Sequence, residues 1–218
     1  MKKKNRRNLY ISVSMLFAFI LWTIAVRIVD VKAIGPEGSG VGFASINARI
    51  HKLTGVHMPL YHITDWLGLV PVFIAFGFAL LGFAQWMKRK KLSKVDYNIL
   101  VLGGFYIVVM AVYVLFEMVV VNYRPVLING HLEVSYPSST TMLVMCVMPT
   151  AIMQFNARIK NDLLKRSVAS AIIAFIVFMV IGRLVSGVHW FTDIAGGALL
   201  SAGLVRMYSY IIGLVGRS

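Results

Sequence analysis

The stretch Gly182–Gly197, "GRLVSGVHWFTDIAGG", joins one apolar run to the next. Five residues separate Arg183 from His189, and three separate His189 from Asp193. Ionisable groups beside a bilayer are costly and face a bundle interior or a cavity, so three of them at this spacing mark a site. The fold follows from what lies on either side.

Of the 218 residues, 59% are hydrophobic, and mean hydropathy is +0.79, far above a soluble domain. Roughly 20 apolar residues make a transmembrane helix. Six runs meet or approach this: 9–29, 66–87, 97–121, 141–155, 168–188 and 194–214. The fourth is short unless it begins in the serines before it. The expected fold is all-α, a polytopic membrane protein with six transmembrane helices in one bundle, and residues 1–218 form a single membrane-embedded domain.

The formal net charge is +14. The basic residues fall in short clusters between apolar runs, the pattern of a membrane protein rather than of a nucleic-acid-binding face. "MKKKNRR" opens the chain, "KRKKLSK" follows the second run, and "NARIKNDLLKR" follows the fourth. Alternating spans place all three on one side, which the charge rule makes cytoplasmic. Both termini are then cytoplasmic, in a multi-pass protein of the cell membrane. The first run lacks a small-residue cleavage pattern and reads as a retained span. The lone cysteine, Cys146, sits in an apolar run and reads as packing.

The longest outer loop covers about residues 30–65. Within it Phe43, Ile46, Ile50 and Leu53 form one helical stripe. Two readings stand: a helix lying at the membrane surface, or a lid helix packed on the bundle.

Arg183, His189 and Asp193 lie at the outer end of the last two runs. Arg124 follows the third run on the same side, and "PSSTT" (residues 137–141) precedes the fourth. Two guanidiniums suit phosphate oxygens. Hydroxyls and free N–H groups at a helix start suit an anion. A histidine can attack phosphorus, and an aspartate one helical turn on can hold its tautomer. Singly, each residue has a plainer role: an interfacial histidine beside Trp190, an Asp193 helix cap, a snorkelling Arg183, an ordinary Arg124–Pro125 loop. Their order and shared side favour a site.

This pattern resembles the type-2 phosphatidic acid phosphatase superfamily, membrane lipid phosphate phosphatases related to vanadium haloperoxidases and bacterial acid phosphatases. Arg183, His189 and Asp193 match its third motif, Arg124 and Pro125 the end of the first, and Pro137 and Ser138 the start of the second. The resemblance implies His189 as nucleophile with Asp193 beside it, and phosphate held by Arg124, Arg183, Ser138, Ser139 and Thr140. It implies a site at the outer face, without metal or cofactor, acting on a lipid phosphate or a polyprenyl pyrophosphate through a phosphohistidine. Its partners are then that substrate and membrane lipids, with no nucleic acid.

Two positions depart from the family pattern. Glu117 stands where the first motif has a lysine, and Ser139 and Thr140 stand where the second has glycine and its acid histidine. General acid catalysis contributes about 10²–10⁴-fold, and pyrophosphate needs it least because phosphate leaves readily as an anion. His131, in the loop after Arg124, is a candidate replacement acid. The alternative function is a non-catalytic protein of the same fold that binds or transports lipid phosphate.

Overall fold

The computed structural model describes residues 2–215. They form eight α-helices: α1 (Lys2–Ile28), α2 (Ala44–Thr54), α3 (Met58–Leu67), α4 (Leu69–Arg89), α5 (Tyr97–Met118), α6 (Ser139–Arg158), α7 (Asp162–Val185) and α8 (Phe191–Val215). Six candidate spans are long and apolar enough to cross a bilayer, with α3 and α4 forming one across Gly68. A helix satisfies every backbone group internally, which hydrocarbon demands.

The helix α6 is central. Half of its span is buried inside the protein, against 11–28% for the others. It begins where the short fourth run needs it to begin: Ser138 caps it, its Oγ accepting from Thr141 N at 3.4 Å. The gain brings α6 to 20 residues, about 30 Å at 1.5 Å per residue. Pro149 lies inside it. Next to that interruption the Thr150 hydroxyl turns back onto the Cys146 and Val147 carbonyls. Cys146 is buried in the core, as expected of a packing residue.

The helix α1 lies along α8. Gly203 lets it approach, since a Cβ there would come within 2.8 Å of the Leu16 side chain, and the Ser12 hydroxyl donates to the Gly203 carbonyl at 2.8 Å. Small residues serve helix pairs in this way where no hydrophobic force drives them together. Large apolar side chains such as Phe73, Ile107 and Ile173 face outward. At the end with the basic loops, Asp96 accepts from Gln85 and pairs with Arg89 at 3.0 Å.

The second span starts earlier than its hydropathy suggests. Residues 58–65, read from sequence as loop, are helical in α3. The reason is its polar side chains, Tyr61 and Thr64 buried against protein and Asp65 paired with Arg183, which lower the apolar signal.

The helix α2 is docked on the bundle by its less apolar face. Ala44 and Asn47 are buried, whereas Ile46 and Leu53 are 49% and 80% exposed. Phe43 stacks on Trp22 with ring centroids 5.2 Å apart, and His51 reaches the Gly187 carbonyl at 3.1 Å. Thus α2 packs on the bundle, but part of the predicted apolar stripe points away from it.

Candidate active site

Three segments meet at the end of the bundle away from the basic loops. The last turn of α7 brings Arg183. The turn after it brings His189, and the first turn of α8 brings Asp193. The segment 122–138 crosses over them and closes with Ser138 N donating to the Asp193 carbonyl at 3.1 Å.

The imidazole of His189 is the centre. Its Nε2 accepts from Arg124 Nη1 at 3.2 Å and from Arg183 Nη2 at 3.1 Å. Arginine has no lone pair to offer, so Nε2 is the bare nitrogen and the proton is on Nδ1. Burial lowers the His189 pKa well below its ordinary 6.5, and the charges of Arg124 and Arg183 lower it further. The ring is therefore neutral, with its lone pair on the atom between the two cations.

Each guanidinium is held from behind. Arg183 is 1% exposed. Its Nη1 is 3.5 Å from Asp65 Oδ1 and also 3.5 Å from the Thr64 hydroxyl. Its charge lies 5.0 Å from the centre of the Tyr61 ring. Arg124 Nε is 2.9 Å from Glu133 Oε2 without the alignment of a hydrogen bond. Asp65 and Glu133 are both partly open to solvent, so they neutralise the buried cations incompletely. Arg124 Nε, Arg183 Nε and His189 Nδ1 are buried without hydrogen-bond partners. Unpaired buried donors are costly, and a bound anion is the ligand class that would offset several at once.

Asp193 is fully buried. Its Oδ1 accepts from Asn122 Nδ2 at 3.2 Å, and its Oδ2 accepts from Trp190 N at 2.9 Å. The same Oδ2 stands 3.8 Å from His189 Nδ1, too far for a hydrogen bond. Trp190 is itself fixed, its indole N–H donating to the Tyr123 carbonyl at 2.8 Å.

A narrow pocket opens onto His189. Glu117, Tyr113, Ser135, Tyr136 and Ser139 are among its walls. Glu117 thus faces the site from the end of α5, which stops at Met118, so its placement does not come from a continuous helix to Arg124. No ion pair joins it to Arg124 or Arg183, which take Glu133 and Asp65 instead. Ser138 is buried and occupied as a cap, while Ser139 faces the pocket. Thr140 points elsewhere: it is absent from the walls and lies near Gly68, at the α3–α4 joint. His131 is exposed in the turn closed by Ile128 and itself, and it does not line the pocket. The structure does not bring it to His189.

Sequence reasoning missed Asp65, Tyr61, Asn122, Ser135 and Glu133. A signal existed for Asp65, a carboxylate one position from the start of a strongly apolar run. Asn122 gave a weaker one, as an amide two residues before Arg124.

The comparisons with known proteins now add to this geometry. The family model described as the PAP2 superfamily matches residues 122–216, the segment that holds Arg124, Arg183, His189 and Asp193. Among solved structures, the chain resembles the "first transmembrane PAP2 type phosphatidylglycerolphosphate phosphatase from Bacillus subtilis". The TM-score is 0.63 at 19% identity, covering 94% of this chain and 98% of that one. At that identity the likeness is one of fold. No curated protein matches the sequence.

Proposed function

We propose that the chain is a membrane phosphatase acting on a lipid phosphate or a polyprenyl pyrophosphate at the outer face of the cell membrane, a reading supported by the match of residues 122–216 to the PAP2 superfamily model. One observation carries the reading: two buried arginines converge on the bare Nε2 of a buried histidine.

The chemistry follows from that arrangement. The substrate phosphate displaces the guanidinium contacts from Nε2 and takes the arginine N–H groups onto its own oxygens. Nε2 then attacks phosphorus in line, forming an N–P bond as the P–O bond to the leaving group breaks. The ring becomes a phosphorylated imidazolium, its proton still on Nδ1. Asp193 Oδ2, 3.8 Å away, closes to stabilise that charge. Water then attacks phosphorus, the N–P bond breaks, phosphate departs carrying both of the water's protons, and neutral His189 returns. Arg124 and Arg183 hold the charge that develops on the phosphoryl oxygens.

A non-catalytic binding or transport role is favoured by one feature, the carboxylate of Glu117 on the pocket wall beside His189. The readings part in one assay: phosphate release by the purified protein from a panel of lipid phosphates and pyrophosphates, with His189→Ala as control. Release that vanishes in the variant supports the enzyme. Saturable binding that requires Arg124 and Arg183, with no release from any lipid, would establish the binding role.

A further inference from the structure

We propose that Asn47, on the outer-loop helix α2, is a positioning residue for the nucleophilic imidazole, acting through Thr192, Asn122 and Asp193. The inference rests on the phosphatase reading above.

The contacts form an unbroken chain. Asn47 grips Thr192 twice: its Nδ2 donates to Thr192 Oγ1 at 3.0 Å, and its Oδ1 accepts from Thr192 N at 3.3 Å. Thr192 Oγ1 also accepts from Asn122 Nδ2 at 3.4 Å. The same Asn122 nitrogen donates to Asp193 Oδ1 at 3.2 Å. None of Asn47, Asn122, Thr192 and Asp193 is more than 1% exposed. The links join three separate segments, α2, the strand-like stretch at residue 122 and the first turn of α8.

Each link constrains the next. Asn47 is itself anchored, its Nδ2 also donating to the Gly42 carbonyl at 2.8 Å. Thr192 is the pivot because its hydroxyl oxygen receives two amides. With that oxygen in place, Asn122 turns its N–H₂ group toward Asp193 and its carbonyl oxygen away. Without it, a buried amide is free to flip and present oxygen to a carboxylate. Asp193 would then lose the donor on Oδ1 and keep only Trp190 N on Oδ2. Its rotation decides whether Oδ2 can close on His189 Nδ1. A misplacement of about 1 Å at such a point costs on the order of 10²-fold. Asn47 lies outside the segment matched by the family model, so the orienting shell of this site draws on the chain's own N-terminal part.

The test uses the full-length protein in lipid vesicles, with Thr192→Val, Thr192→Ser and Asn47→Ala. Valine keeps the shape of threonine and removes the oxygen, whereas serine keeps the oxygen. Thr192→Val and Asn47→Ala are expected to lower kcat by about 10–100-fold with KM nearly unchanged, while Thr192→Ser stays near the wild type. Orthovanadate, which imitates the five-coordinate phosphorus on Nε2, should bind more weakly to the valine and alanine variants alone. Equal losses in the valine and serine variants would reduce Thr192 to a packing residue and overturn the inference, as would a Thr192→Val enzyme with wild-type kcat. If valine at position 192 prevents folding, Asn47→Ala with its vanadate affinity decides alone. Wild-type protein that hydrolyses nothing defeats the phosphatase reading, and the vanadate comparison still settles the positioning role.

Discussion

Arg183 donates to Nε2 of His189 at 3.1 Å, so the lone pair that would attack phosphorus is held by a cation until substrate arrives. Arg124 repeats the contact from the other side. With burial, the two charges lower the histidine pKa well below 6.5. The reactive form is the neutral ring, so kcat/KM should remain level as pH falls through 6.5 and drop only at a lower pH. A pH profile whose acid limb sits at the ordinary histidine value would contradict this. The stability sign is the same. The folded pKa is depressed, so the unfolded chain takes up the proton first, and stability should decline as pH falls below about 6.5.

Removing the ring should remove the reaction. His189→Ala is expected to lose at least about 10³-fold in kcat, because no other group supplies the N–P bond. Asp193→Asn should lose about 10²–10⁴-fold while the protein still folds, since an amide fits the space but cannot stabilise a cation. Incubation with labelled substrate, quenched by denaturant at alkaline pH where an N–P bond survives, would show a phosphorylated protein only when His189 is present.

Thr140 and Glu117 separate substrates. Thr140→His should raise turnover of a phosphate monoester more than that of a pyrophosphate, because only the alkoxide needs a proton to leave. Thr140 lies toward Gly68 rather than on the pocket wall, so the gain should fall short of the full 10²–10⁴-fold. Glu117→Lys replaces a repulsive charge on that wall with an attractive one and should lower KM for both substrates. Equal gains on the two substrates from Thr140→His would refute the leaving-group argument.

The six spans and the core of the site were legible because each rests on a local or additive signal. Apolar length defines α5 and α7 without reference to any neighbour. Arg183, His189 and Asp193 declare themselves by spacing on one turn and one helix. Asn47 and Thr192 carry no such signal, because their contact spans 145 residues of sequence. The apolar stripe of α2 misled for a related reason. A bundle end that offers Thr192 and the Gly187 carbonyl selects Asn47 and His51 as the buried face, and hydrophobicity does not predict that choice. His131 is near Arg124 in sequence, but the turn at Asn129–Gly130 carries it out to solvent.

The orientation rests on the basic loops and can be read from intact cells. An impermeant thiol reagent should label His131→Cys and leave Ser93→Cys untouched. Both positions are exposed. Cys146 is buried and its thiol contributes no background. The reverse labelling pattern would invert the protein in the membrane.

Gly187 should tolerate no side chain. Its φ is +70°, and a Cβ would fall 1.9 Å from the Gly55 carbonyl oxygen. The turn that carries His189 therefore presses directly on the backbone between α2 and α3. Gly187→Ala should cost about 1–3 kcal/mol of stability from the strained backbone alone, with activity falling further as the turn shifts. Unchanged melting and unchanged kcat would show that the two turns are not in contact.

That contact also sets a schedule. Gly55 and Asn47 are synthesised before His189 and Asp193, so the pocket exists only once α8 has been brought back against α2 and the turn that follows it. A nascent chain stalled after α6 has both arginine partners, Asp65 and Glu133, but neither Arg183 nor His189. On the proposed phosphatase reading, assembly of the bundle and the onset of catalysis are a single event, and activity becomes a reporter of completed membrane insertion.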